Sequence, residues 1–324
     1  MKSNLLSPEA MAFHRRRGRV RISVSHNCQL KCQFCHQEGI SKHWDNTYIT
    51  EGYFRKLLSA LNFLGVKEIN LTGGDPLLHP SINALIEIAW AMDFSTFICT
   101  NGLLLNRAFD SISAGHLAQI KLSVHDVFSD QRSLDVLGKA WSFRKVEANV
   151  LGAIDRGISE LQVNFTNTKD SFRSFRHVAE QAIKWDAKLI VCDLIATRWN
   201  ECIEELQGAE RKTEDIEDIL LDYASPNGVV SDDVGCILKK YKSQTGRDWF
   251  IKDHGFGLYY SAMCDGCLQR PICGEGVFAL RFDCDGHISP CLLRADLARK
   301  VDPQTSSIEY IQRQIADVMG LMTE

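Results

Sequence analysis

Residues 25–36 place Cys28, Cys32 and Cys35 in a C-x3-C-x2-C array, with Phe34 directly before the last cysteine. Three thiolates on one short loop can hold three irons of a [4Fe-4S] cube and leave the fourth iron open to a substrate or cofactor. The competing readings are a structural zinc loop that recruits a fourth ligand elsewhere, or three unrelated core cysteines. Either metal reading demands that the loop hang from a rigid element.

The sequence supplies one. Run 20–24 reads as a strand, and five more short runs rich in Ile, Val and Leu follow at 68–72, 96–100, 119–124, 161–166 and 189–194. Amphipathic helical patterns fall between them, near 51–64, 80–92, 106–115, 146–157 and 171–185. Such alternation predicts a parallel sheet with helical crossovers. Six βα units are too few for a closed eight-stranded barrel. The expected fold is therefore α/β, a partial (β/α)6 TIM-like barrel whose site lies at the strand C-terminal ends, where the cysteine loop follows the first strand. Residues 200–222 read as a charged last helix, and Ser225-Pro226-Asn227-Gly228 as a boundary. This divides the chain into a barrel, 1–224, and a small C-terminal auxiliary iron-sulfur domain, 225–324. A final helix should start at a capping box Ser306-x-x-Glu309 and bury Ile308, Ile311, Ile315, Val318 and Met322.

Composition narrows the class. A chain of 324 residues with 45% apolar content fills such cores, and a net charge of −4 gives no general pull toward nucleic acid or membrane. No apolar run reaches the ~18 residues of a membrane span and no secretion signal opens the chain, so a cytoplasmic protein is expected. Twelve cysteines in a reducing compartment point to metal rather than disulfides. Cys99 and Cys192 lie in apolar runs and read as small buried hydrophobes. The arginines between 15 and 21 read as a solvated arm, except Arg21, which a strand's inward face can point into a site.

Together with Leu71-Thr72-Gly73-Gly74-Asp75-Pro76 at the end of the second strand, the cysteine array resembles the signature of the radical S-adenosylmethionine (radical SAM) superfamily. That resemblance implies a [4Fe-4S] cluster on Cys28, Cys32 and Cys35, with S-adenosylmethionine chelated at the open iron and cleaved reductively to a 5′-deoxyadenosyl radical that abstracts hydrogen. It places Phe34 near the adenine, Gly73, Gly74 and Asp75 at the methionine amino group, and Ser123 and Asn164 among the cofactor contacts; a local backbone bond is the other reading of Ser123. It also implies an electron donor of flavodoxin or ferredoxin type.

Within the superfamily, Arg21 to Val24, Glu38-Gly39, Thr100-Asn101-Gly102, Val163-Asn164 and Asp285 to Leu292 are similar in order and spacing to the GTP 3′,8-cyclases of molybdenum-cofactor biosynthesis. Arg21, Thr100 and Arg281 then become the expected substrate contacts. Departures fall where those enzymes hold a nucleotide: Asn70 and Gln162 stand at basic positions, Ala279 replaces an arginine, and the chain ends without Gly-Gly. A triphosphate needs charge-assisted bonds, so GTP cyclisation is not expected, and the substrate is read as a nucleotide-like or other small polar molecule. Cys264-x2-Cys267-x5-Cys273 with Cys291 resembles SPASM and twitch regions and predicts a second [4Fe-4S] cluster; a zinc ribbon competes, and Cys284 is an alternative to Cys273. A peptide-modifying enzyme and a non-catalytic iron-sulfur or zinc sensor are the other functional readings.

Overall fold

The computed structural model describes residues 6–36, 38, 47–195, 197, 213–230, 237–252, 257–277 and 279–323. Its first six strands are β1 (Arg19–Ser25), β2 (Glu68–Gly73), β3 (Ser95–Thr100), β4 (Gln119–Ser123), β5 (Leu161–Asn167) and β6 (Lys188–Asp193). They lie side by side in chain order, every pair parallel. Crossovers run through α2 (Glu51–Phe63), α3 (Ile82–Ala91), α4 (Phe109–Ser113), α5 (Gln131–Leu137), α6 (Phe143–Asp155) and α7 (Phe175–Lys184). Ser and Thr start the longer ones: Thr50 accepts from the Tyr53 N–H, and Ser142 from that of Lys145. β5 alternates a helix-facing apolar set, Val163 and Phe165, with a lumen-facing polar set, Gln162 and Asn164.

The later strands are β7 (Ala224–Val230), β8 (Leu238–Ser243), β9 (Asp248–Lys252), β10 (Ala279–Phe282), β11 (His287–Ser289) and β12 (Arg299–Lys300). They extend the same sheet at both edges, in the order β12-β11-β10-β1-β2-β3-β4-β5-β6-β9-β8-β7. β10 pairs parallel with β1, and β9 parallel with β6. The barrel thus gains a parallel strand on each side, and among the described residues no ladder joins β9 to β10. Residues after 224 are layered onto the barrel edges.

Three expectations change. Ser225 to Gly228 is no turn between domains. It lies within β7, paired antiparallel with β8 across a bulge between Pro226 and Val229, an edge position that tolerates proline. The last helix, Ile308–Thr323, buries Ile311, Ile315, Val318 and Met322 as expected, but Ser307 is its cap, accepting from the Tyr310 N–H at 3.2 Å; Ser306 instead accepts from Asp302. The chain start is not an arm. Ser7-Pro8 opens α1 (Pro8–Arg15), which packs on that last helix, so Arg15 to Arg17 mark a helix end while Arg19 and Arg21 enter the lumen. Cys202, Cys236 and the first part of the expected charged helix lie outside the described residues; Thr213–Leu220 is helical. Among the described residues no helix is long and apolar enough to cross a membrane.

Gly74 is required by packing. A Cβ there would lie 2.1 Å from the Asn27 carbonyl oxygen, where the end of β2 meets the start of the cysteine loop. Gly74→Ala should therefore lower the stability of the metal-free protein by about 3 kcal/mol, read as a drop in the thermal midpoint; an unchanged midpoint would mean that the two backbones part freely.

Candidate functional site

The cysteine loop leaves the C-terminal end of β1 and is fixed by backbone on two sides. Gly74 N–H donates to Ser25 O at 2.8 Å and Asp75 N–H to Asn27 O at 2.7 Å; on the far side Lys31 N–H donates to Leu137 O and Gln33 N–H to Val136 O, both at 3.0 Å. Gly73 adopts φ 134°, and a Cβ there would overlap the Ser25 oxygen, so only glycine fits.

Beneath the loop lies a cavity of about 300 Å³. Its walls include Cys28, Cys32, Cys35, Phe34, Gly73, Gly74, Ser123, Asn164, Arg21, Thr100 and Arg281, the barrel residues singled out from sequence apart from Asp75. Donors aim at the first sulfur: Leu30 N–H lies 3.4 Å and Asn101 Nδ2 3.7 Å from Cys28 Sγ, the setting that suits a liganding thiolate. In the metal-free chain burial pushes the thiols of Cys28, up to about 12, and Cys32 above their ordinary range.

Asp75 is turned away. Its carboxylate is fully buried and accepts from the Leu77 and Asn101 N–H groups at 2.9 and 3.2 Å and from Thr100 Oγ1 at 2.8 Å. The Thr100 hydroxyl proton is thereby committed to Asp75. Burial raises the Asp75 pKa against these donors. This carboxylate ties the ends of β2 and β3 together, and the short Asp side chain accounts for its inward position.

Deeper in the lumen stands a chain of buried ion pairs. Glu38 accepts from Arg21 Nε at 3.0 Å and pairs again with Arg21 Nη2; Thr72 Oγ1 donates to it at 3.0 Å, and Arg281 Nε lies 3.6 Å away. Arg281 also pairs with Glu275 and donates to Ala279 O at 2.8 Å. Burial pushes the Glu38 and Glu275 pKa values up, but Arg21 outweighs it at Glu38, and Arg281 with Lys252 outweighs it at Glu275, holding both carboxyls below their ordinary range. Glu38 takes φ 53°, a strained value for a side-chain-bearing residue, and the pair with Arg21 holds it there.

Lys121 is the site residue that sequence reasoning missed. Sheet register sets it beside Gln162, and its Nζ donates to Asn70 Oδ1 and lies 4.8 Å from the Phe97 ring centroid. Burial lowers its pKa to about 8. The signal was available: a lysine two residues before Ser123 in a strand shares the inward face with it. Asn70, Lys121 and Gln162 also border a second cavity of about 690 Å³ at the opposite end of the barrel. Cys99 and Cys192, expected as buried hydrophobes, are half-buried and line the main cavity.

The second cysteine group lies apart from the cavity wall. Cys264, Cys267 and Cys273 are half-buried and Cys291 is buried. The Cys273 charge raises the pKa of both Cys264 and Cys291, after burial in each case, and the Glu275 and Arg281 charges act on Cys291. Gly276 N–H lies 3.4 Å from Cys273 Sγ, and Leu293 N–H 3.3 Å from Cys291 Sγ. Cys284 faces elsewhere, with its thiol 3.2 Å from Ser23 O.

Residues 22–174 match the sequence profile of the radical SAM superfamily. Those residues form a radical SAM domain. The chain is 26% identical over 281 residues to a probable GTP 3′,8-cyclase of Methanocaldococcus jannaschii, covering 86% of this chain and 85% of that protein. The GTP 3′,8-cyclase of Chlorobaculum tepidum is 38% identical over 107 residues, 32% of each chain. Among solved structures the fold is similar to Streptococcus suis SuiB bound to S-adenosylmethionine, with a TM-score of 0.64 and 15% identity over 95% of this chain and 68% of that one. It is also similar to anSMEcpe with bound AdoMet and a peptide, with a TM-score of 0.56 and 16% identity over 94% and 83% of the two chains. A radical SAM enzyme carries a [4Fe-4S] cluster and S-adenosylmethionine.

Lys121 gives a stability test. Its pKa is lowered on folding, so the folded protein binds fewer protons than the unfolded chain between about pH 8 and the ordinary lysine range, and stability from this group rises with pH there. Lys121→Met should stabilise the protein by about 2 kcal/mol at pH 7, a gain that fades toward pH 10 in urea titrations. Glu38→Gln should do the reverse, costing about 3 kcal/mol by leaving Arg21 buried without its charge partner.

Proposed function

We propose that this radical SAM enzyme abstracts hydrogen from a small polar substrate in the barrel lumen, and that this substrate is not GTP. The observation that carries the reading is the internal pairing of Arg21 and Arg281, two of the arginines that reach the lumen. Arg21 and Arg281 are matched by Glu38 and Glu275, and neutral Asn70 and Gln162 stand where the cyclase pattern is basic. Lys121 restores one cation between those two amides. A triphosphate carries several negative charges, and two desolvated arginines already engaged by carboxylates offer it little. One anionic or polar group fits this lumen better.

Cys28, Cys32 and Cys35 would hold the first cluster, which would supply the electron for reductive cleavage of S-adenosylmethionine. Phe34, Gly73, Gly74, Ser123 and Asn164 would form the cofactor's walls, with Asp75 acting from behind by holding Thr100 and the Gly73-Gly74 turn. Arg21, Thr100 and Arg281 would border the substrate. We assign Cys264, Cys267, Cys273 and Cys291 to a second [4Fe-4S] cluster. Four thiolates would close it to substrate and leave it electron transfer; Glu275 and Arg281, whose charges act on Cys291, line the lumen, which supports a role as acceptor for a substrate radical. The reductant would be a flavodoxin or ferredoxin.

Anaerobic reconstitution should yield about eight irons per chain, and dithionite with S-adenosylmethionine should release 5′-deoxyadenosine. About four irons with one zinc would sink the second cluster. Adding GTP should neither raise 5′-deoxyadenosine release nor yield a cyclised nucleotide; a GTP-dependent product would overturn the substrate reading.

A further inference from the structure

We propose that Trp141 positions the adenine ring of S-adenosylmethionine, its indole Nε1–H donating to a purine ring nitrogen. Trp141 is 4% exposed and lines the barrel cavity, and its Nε1 has no hydrogen-bond partner. A buried indole N–H ordinarily finds an acceptor, and an orphaned one beside a cofactor cavity calls for a ligand to supply it. The neighbouring wall is apolar and buried: Leu30, Phe34 and Leu137. An acceptor that arrives there must come on a flat body with apolar faces. Adenine carries in-plane ring nitrogens of that kind, whereas the charged methionine end would lose its hydration without a partner.

The position is fixed relative to the cluster loop. Trp141 N–H donates to Gly138 O at 3.0 Å, and the same connection is bonded to the cysteine loop through Leu137 O and Val136 O. His125, two residues past the end of β4, closes the wall, its ring edge-on to Phe34 with centroids 4.7 Å apart. Its Nδ1 accepts from the Thr166 N–H at 3.1 Å, which leaves the proton on Nε2, and burial keeps the ring neutral with a pKa near 4. His125 therefore brings no charge against a neutral purine at this end.

This inference rests on the cavity being that of the cofactor, and the test separates the two. Reconstituted protein would be dialysed anaerobically against S-adenosylhomocysteine, 5′-methylthioadenosine or methionine. Trp141→Phe should weaken the two adenosine ligands about tenfold, the worth of one hydrogen bond, and leave methionine within twofold. Trp185 also has an unbonded Nε1 but packs against Phe143 and does not line the cavity, so Trp185→Phe should change nothing. Wild-type affinity of Trp141→Phe for 5′-methylthioadenosine would overturn the assignment. So would an equal loss for all three ligands with a fall in iron content, which marks a packing role. If the wild-type protein binds none of the three, the cofactor reading of the cavity fails with it.

Discussion

Everything chemical in this protein depends on backbone-to-backbone attachment of the cysteine loop. A loop bearing three thiols has little structure of its own, and side-chain contacts alone would leave it many conformations to lose. Here Ser25 O and Asn27 O receive N–H groups from the Gly73-Gly74-Asp75 turn, while Lys31 and Gln33 donate to the end of α5. The glycines are what allow the first attachment, since a Cβ at either would strike the loop's own carbonyls. Asp75 then secures that turn to β3 through Thr100 and Asn101. The motif that reads as a ligand contact is also the clamp that makes a ligand site possible.

The second determinant is how the lumen handles charge. Burying Arg281, Lys121 and Lys252 in one barrel, with Arg21 half-buried beside them, is costly, and Glu38 and Glu275 offset it only in part. Arg21 and Arg281 face each other across the β1–β10 ladder, so the strand that completes this arrangement comes from the end of the chain. Glu275 belongs to the same late segment and lies close to both Arg281 and Cys291. Lumen and second cysteine group are therefore electrostatic neighbours.

Much of this was legible beforehand because it is local. Short runs rich in Ile, Val and Leu located all six barrel strands within a residue or so, and helical periodicity the larger crossovers. The cysteine spacing and the paired glycines named one end of the cavity. What failed was either positional by one residue, as with Ser307 for Ser306, or dependent on a partner far away. Ser225 to Gly228 has turn composition and yet forms a strand, because β8 offers it an edge. Asp75 has the right residue type for a cofactor contact, but Thr100 and the Asn101 N–H, from another strand end, claim its oxygens.

The sequence alone determined the chemistry's location and the barrel's repeating units, since three thiols, two glycines and an alternating strand pattern each act over a few residues. Only the tertiary structure decided which charges survive in the lumen. Whether Arg21 is a free cation depends on Glu38, and Arg281 on Glu275; Lys121 becomes a site residue only when β2 and β5 bring Asn70 and Gln162 to its sides. Electrostatic free energy in a desolvated cavity is set by distances between residues that are remote in the chain, and those distances exist only after folding.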